Sequence, residues 1–467
     1  MTRRARAPTN KRSWVADILV PIILVVALAA VSATTGTAPA PHYANGVGLT
    51  PAMGWTSWSF LRRHPTAAKV EAQAKAMVTS GLTRDGYRYV NLDDFWYACP
   101  GKQGPAVDRY GRWVPSSSFP PGPNGLSGIA VVANYVHSLG LKFGLYVTPG
   151  ISDQAVTADT AVLNPHGQPS RYTADQVADP NKTEYNFNCG GMVALNYRSP
   201  GAQEFIESWA DEFASWGVDY LKLDGVGSFD VPDVEAWSAA LRQTGRPIRL
   251  ELSNTLNINY AWTWERYANG WRTGADIECY CSKHKTSYPL TDWANVKARF
   301  DQVANWQPYG KPGGFNDYDS IEVGNGADDG LTVAQRETQL SLWALASSPL
   351  IVGADLTHLK RSDLALLENT AVIAVDQDGI DCSRVAKSPT SQVFAKTEKG
   401  GDVIIGLFNT TSGHEYISSS TALVGMAKSR WYKLDNLWSH LSTETTGAID
   451  ADVPSGGVAL FRVTLTR

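Results

Sequence analysis

The chain of 467 residues is poor in the residues that metal and redox chemistry require. Its 8 His are scattered with no HExxH spacing, and its 5 Cys (Cys99, Cys189, Cys279, Cys281, Cys382) contain no CxxC pair. That excludes a zinc knuckle, and no ligand set for a catalytic metal is left. There is no Walker A loop. Gly324-Asn325-Gly326 begins like a dinucleotide-binding turn, but the next glycine, Gly330, comes one residue late and no strand leads into it, so it reads as a loop. A basic excess is also missing: Lys plus Arg number 41 against 45 Asp plus Glu, a formal charge of −4. Nucleic acid is therefore not the expected partner, and no cofactor or metal is expected. Past the N-terminus, no apolar run approaches the roughly 20 residues of a membrane span.

The N-terminus does read as a targeting segment. Arg3, Arg4, Arg6, Lys11 and Arg12 precede an apolar run from Ile18 to Ala30, which closes on the small residues Val31-Ser32-Ala33. This is the pattern of a secretory signal over residues 1–33, with an uncleaved membrane anchor as the alternative. Residues 34–47, with Ala, Thr and Pro, read as a flexible lead-in. An exported chain with an odd number of Cys is expected to form one or two disulfides and keep one thiol. Aromatics are abundant, with 16 Trp and 19 Tyr. Flat rings suit sugar faces, although most Trp in any protein is core.

From 48 to 385 the chain alternates short apolar runs with longer amphipathic segments. The runs predicted as strands are Ala52–Trp55, Tyr87–Leu92, Lys142–Val147, Val218–Leu223, Ile248–Leu252, Gly270–Thr273, Gly313–Phe315 and Leu350–Val352. Helices are predicted between them at Ala67–Ser80, Gly128–Ser138, Gly201–Trp216, Val234–Gln243, Thr291–Asn305 and Ala334–Ser347. This alternation is the α/β pattern of a (β/α)8 TIM barrel. An open doubly wound sheet would offer a glycine-rich phosphate turn after its first strand, whereas Gly54-Trp55-Thr56-Ser57-Trp58 offers two Trp. Residues 386–467 show short alternating runs punctuated by Gly, Ser, Thr and Asn, predicting a small C-terminal antiparallel β-sandwich.

Barrel chemistry sits at the C-terminal ends of the strands, and polar residues gather there. Trp58 follows the first strand, Asp93 and Asp94 the second, and Tyr146 lies in the third. Lys222 and Asp224 end the fourth, Ser253 and Asn254 follow the fifth, Arg272 and Asp276 the sixth, and Asn316, Asp317 and Asp319 the seventh. Lys222 and Asp224, two apart on a strand, point to the same side. A cation there keeps a carboxylate ionised, as a nucleophile requires. Each residue has a plain structural alternative: a loop cap for Asp93-Asp94, an ion pair between Arg272 and Asp276, a satisfied interior Lys222. Acids at four strand ends of one mouth are harder to explain that way, because they repel one another. Without phosphate or metal motifs, a glycosidic bond flanked by two carboxylates is the natural target.

The segments PAMGWTSW (51–58), NLDDFW (91–96), YLKLDG (220–225), WRTGADI (271–277), GGFNDYD (313–319) and VIAVDQD (372–378) resemble the signature blocks of glycoside hydrolase family 27, the α-galactosidase and α-N-acetylgalactosaminidase family. The resemblance implies a retaining double displacement that removes terminal α-D-galactosyl residues from oligosaccharides, polysaccharides or glycoconjugates. Asp224 falls on the nucleophile position and Asp276 on that of the acid/base. Trp58, Asp93, Asp94, Tyr146, Lys222, Ser253, Arg272 and Asp319 make up the implied substrate-binding set, with Asp93 and Asp94 on the O4 and O6 hydroxyls and Arg272 on O2. Ser253 stands where α-galactosidases carry a Glu that reads the 2-hydroxyl. The N-acetylgalactosaminidase branch uses Ser there together with a small residue three positions on, which here is Leu256, so Leu256 is expected to face the C2 pocket. Gly225-Val226 departs from the usual Gly-Cys, and the long loop from Gly150 to Tyr197 is expected to close over aglycone subsites. The alternatives are α-N-acetylgalactosaminidase, β-L-arabinopyranosidase and isomalto-dextranase activity, or a catalytically silent carbohydrate-binding protein.

Overall fold

The computed structural model describes residues 45–277, 292–325 and 329–466. The proposed signal and lead-in up to residue 44, together with Cys279 and Cys281, lie outside the described residues. Among the described residues no helix is long and apolar enough to cross a membrane.

Eight parallel strands form one sheet. Numbering the barrel elements alone, they are β1 (Met53–Thr56), β2 (Tyr89–Leu92), β3 (Lys142–Val147), β4 (Tyr220–Asp224), β5 (Arg249–Ser253), β6 (Gly270–Arg272), β7 (Phe315–Asp317) and β8 (Leu350–Val352). Each pairs in parallel with its sequence neighbour from β1 to β7, and β8 returns to pair with β1. Closure between β7 and β8 rests on one parallel bridge, Ile321 to Val352. There the Ile321 amide donates to Ile351 O (2.8 Å) and the Gly353 amide to Ile321 O (2.9 Å). The strands are buried almost throughout, which is why they read as short apolar runs rather than alternating ones.

A helix or helix pair follows each strand: α1 (Ala67–Ser80), α2 (Gly128–Ser138), α3 (Pro200–Trp216), α4 (Val231–Gln243), α5 (Ala261–Tyr267), α6 (Trp293–Trp306), α7 (Val333–Leu345), then α8 (Arg361–Leu367) and α9 (Thr370–Gln377). Their starts are chemically marked. Thr66 Oγ1 accepts from the Lys69 amide, Asp292 from Asn295, and Thr332 forms a capping box with Gln335. The (β/α)8 barrel is thus as the sequence indicates; the second and fourth strands start two residues later than expected, and two further differences bear on the site. The seventh strand starts two residues later than expected, because Gly313 and Gly314 form a turn bonded to Gly48 and Lys311. The loop from Gly150 to Tyr197 also carries its own structure, a three-stranded sheet (Ile151–Ser152, Met192–Leu195, Ala178–Glu184) and a two-stranded one (Ala161–Leu163, Pro169–Thr173).

The aromatic excess is mainly core. Trp55, Trp96, Trp237, Trp264, Trp271 and Trp343 are fully buried, and Trp96, Trp113, Trp209, Phe213, Trp216 and Trp237 pack in one continuous cluster, mostly edge to face or tilted, with Phe213 stacked on Trp237.

The C-terminal part is an antiparallel β-sandwich. A six-stranded sheet runs in the order Ser383–Lys387, Ser391–Thr397, Val403–Asn409, Val458–Leu465, Tyr432–Asn436, Ser442–Thr445, beside the pair Glu415–Ser420 and Ala448–Val453. Ile405, Leu407, Ile417, Ile449 and Val463 form its core. Lys396 ties it to the barrel. Its side chain is fully buried, and Nζ pairs with Asp378 (2.8 Å) while donating to Ala344 O, Val375 O and Ile380 O. These acceptors more than satisfy the three N–H donors of the buried ammonium.

Candidate active site

The C-terminal ends of the strands open into a cavity of about 290 Å³, lined by Trp58, Arg62, Asp93, Asp94, Tyr146, Phe187, Asn188, Lys222, Asp224, Asn254, Arg272 and Asp276. Every site residue expected from the sequence is on this wall except Ser253 and Asp319. Those two line a smaller, deeper cavity, of about 50 Å³, together with Glu251 and Asp317.

Each side chain is placed by its strand. The Asp93 amide donates to Ser57 Oγ (2.9 Å), and its Oδ1 accepts from the Asp94 amide (2.8 Å). Asp93 Oδ2 pairs with Lys222 Nζ at 2.8 Å, and that ammonium lies 5.8 Å from the centre of the Tyr146 ring. The ion pair the structure gives Lys222 is therefore across to β2. Lys222 and Asp224 still share the cavity wall, as strand alternation requires. Asp94 is buried and well supplied with donors: Oδ1 accepts from the Phe95 amide (2.7 Å) and the Tyr97 hydroxyl, and Oδ2 from Asn188 Nδ2 (2.5 Å). Burial pushes its pKa up to about 6 against the pull of those donors. Burial, then the charges of Asp94 and Asp224, raise the Tyr146 phenol, so it stays a neutral donor.

Asp224 is the last residue of β4, and its ladder partner in β5 is Ser253. Gly225 follows at φ +81°, and a Cβ there would meet the Phe187 ring at 3.1 Å. Only glycine suits both the turn and the close ring. Asp276 sits beyond the end of β6, with Oδ1 2.5 Å from Arg272 Nη2. In the deeper cavity burial dominates: Glu251, beside Arg249, is pushed up to about 8, and Asp317 up to about 6 with help from the charge of Asp319.

Two expectations about C2 change. Ser253 is buried beneath the mouth, and its Oγ has no hydrogen-bond partner among the described residues. Leu256 lines neither cavity; it is buried in the core with its amide donating to Arg272 O (3.2 Å). The tight turn after β5, where Asn254 has φ +151°, carries Leu256 behind Arg272 and leaves Asn254 at the wall.

Sequence reading missed Arg62, Phe187 and Asn188. Arg62 lies over the Trp58 ring (5.4 Å), one turn of helix away from it. Phe187 and Asn188 come from the long excursion after β3 and carry no local motif. They are held by the disulfide Cys99–Cys189, which binds that segment to the loop after β2. Cysteine parity in an exported chain was the available signal. Residues 184–187 alternate: Glu184 and Asn186 are buried, while Tyr185 and Phe187 are exposed, Phe187 at the mouth. Cys382 is the free thiol among the described residues, and it is buried.

The profile described as "Alpha galactosidase A" matches residues 50–160 and 186–378, and that described as "Alpha galactosidase C-terminal beta sandwich domain" matches 388–463. The α-galactosidase of Coffea arabica is 32% identical over 90% of this chain and 95% of its own length, and that of Oryza sativa subsp. japonica 30% over 90% and 86%. Among solved structures, a β-L-arabinopyranosidase from Geobacillus stearothermophilus, in complex with arabinose, superimposes with a TM-score of 0.81 at 25% identity, over 92% of this chain and 100% of that one. The unmatched residues 161–185 fall within the excursion that ends at Phe187 and Asn188. By its profile match, its relatives and its cavity, the chain belongs to glycoside hydrolase family 27, the α-galactosidase and α-N-acetylgalactosaminidase family.

Proposed function

We propose that the protein is a retaining exo-glycosidase that hydrolyses terminal α-D-galactosyl residues. The observation that carries this reading is the placing of Asp224 and Asp276 on one small cavity wall, with Asp276 paired with Arg272. Asp224 attacks the anomeric carbon while the bond to the leaving oxygen breaks, and Asp276 delivers its proton to that oxygen. Water then attacks the glycosyl-enzyme ester, gives its proton to Asp276, and Asp224 leaves as carboxylate. Asp93, Asp94, Tyr146, Lys222 and Arg272 hold the sugar hydroxyls and Trp58 its apolar face. The leaving group faces Phe187. The test is the anomer of the first product by proton NMR: α-galactose supports the scheme, β-galactose overturns it. In a complex with bound sugar the two carboxyl groups should stand about 5–5.5 Å apart.

A second reading, β-L-arabinopyranosidase, is favoured by Asn188. Its donation to Asp94 Oδ2 occupies the carboxylate oxygen that an O6 hydroxyl would need. The ratio of kcat/KM on p-nitrophenyl α-galactoside and β-L-arabinopyranoside decides between them, and the α-N-acetylgalactosaminide belongs in the same panel. The enzyme is exported through its N-terminal segment, a reading supported by the disulfide, and meets its glycans outside the cytoplasm.

A further inference from the structure

The backbone around Asp276 is held from both sides by groups that the reaction scheme does not use. Arg299, buried in α6, donates through Nε to Tyr318 O (3.2 Å) and through Nη2 to Ala275 O. Asp319 Oδ2 accepts from the Ile277 amide at 2.6 Å and from Arg272 Nη1 at 3.3 Å. Arg272 is the guanidinium whose other arm pairs with Asp276 Oδ1 at 2.5 Å. The carbonyl before Asp276 and the amide after it are thus both tied to the 318–319 segment, and the carboxylate is tied to it through Arg272.

The anchor is itself unusual. Asp319 has φ +80°, a conformation that costs energy for any residue with a Cβ and persists only where the surroundings impose it. They do so here: its amide donates to Asp317 Oδ1 (2.7 Å), and its carbonyl accepts from Trp343 Nε1 (2.7 Å). A glycine would satisfy the turn without strain. What a glycine lacks is the carboxylate that Ile277 and Arg272 share.

We propose that Asp319 and Arg299 are positioning residues for proton transfer, fixing Asp276 at the leaving oxygen. This rests on Asp276 being the acid/base. Asp319 lies in the deeper cavity, below the wall that meets the sugar, and acts through Arg272 and the backbone. Proton transfer needs the donor within about 2.6–3.2 Å of its target, so small displacements are costly in rate.

The test compares D319A, D319N, R299K and D276N on galactosides with a dinitrophenyl leaving group and with an unactivated alkyl or sugar one. The expected result for D319A is a rise of about ten-fold or more in the preference for the activated leaving group, in the direction that D276N shows, with part of the lost turnover restored by azide. The alkaline limb of its pH–rate profile should also shift. D319N, which keeps one acceptor oxygen, and R299K should fall between D319A and wild type, and thermal melts confirm that each variant is folded. A uniform loss on both substrates, or no change of preference, overturns the proposal. If D276N itself shows no leaving-group preference, the assignment of the acid/base fails instead.

Discussion

The two carboxylates proposed as nucleophile and acid/base are fixed by different physics. Asp224 ends a strand in the middle of the sheet, and the parallel ladder that pairs Tyr220–Asp224 with Arg249–Ser253 sets its position residue by residue. Asp276 lies past the end of β6, where no ladder reaches it, and is placed by the side chains Arg272, Asp319 and Arg299. The division suits their roles. A nucleophile must meet one carbon from one direction, and a strand end is the stiffest mount available. An acid/base must present its oxygen first to the leaving group and then to the water that takes its place, and a loop pinned by side chains holds it there for both steps.

Substitutions sharpen the comparison. The largest effect belongs to the ladder-held group: D224N should lower turnover by about 10⁴-fold or more on every substrate, whatever the leaving group, measured under single-turnover conditions. D276N should lose about 10²–10⁴-fold on sugar leaving groups and much less on dinitrophenyl ones. Equal losses for the two variants across leaving groups would erase the distinction. Replacing both Cys99 and Cys189 by Ser should cost about 2–4 kcal/mol of stability in a denaturant melt, because the bridge closes a long loop. It should also raise KM, since Asn188 would no longer be held against Asp94.

Leu256 tests the loop-held side from behind. L256A should destabilise by about 2–5 kcal/mol through the cavity it leaves and slacken Arg272. It should leave the ratio of turnover on N-acetylgalactosaminides to turnover on galactosides unchanged, because Leu256 is buried away from the mouth.

The smallest effect concerns the segment after Asp224. There Asp230 Oδ2 accepts from the Gly227 amide (2.5 Å), and burial, then the charges of Asp230 and Asp233, push the Glu184 carboxyl up to about 9. A carboxyl with a raised folded pKa contributes stability that is complete below its unfolded pKa and is lost as pH rises through the folded one. Melting temperature should therefore fall from about pH 5 to about pH 9, and E184Q should flatten that slope by an amount on the order of 1 kcal/mol.

What the sequence revealed follows the same division. The strands could be read because each is a short apolar run buried on both faces, and Asp93, Asp94, Lys222 and Asp224 because a strand end fixes where its side chains go. Leu256 could not be placed from sequence, because the turn at Asn254 bends the chain in a way no residue type dictates, whereas the depth of Ser253 below the mouth is set by its register opposite Asp224. Asn188 and Phe187 are brought to the site by tertiary contacts, among them a disulfide between Cys that lie 90 residues apart. The pull of Asp319 on Ile277 is also tertiary: in sequence Asp319 looks like one more polar strand end.

The most direct measurement traps the glycosyl-enzyme. A galactosyl fluoride slowed by a further ring fluorine should inactivate the protein and leave one hexosyl adduct, recoverable after proteolysis. The account predicts that tandem mass spectrometry places the adduct on Asp224, within the peptide Tyr220–Gly225. An adduct on Asp276, or complete hydrolysis to the inverted anomer with no adduct, would contradict it.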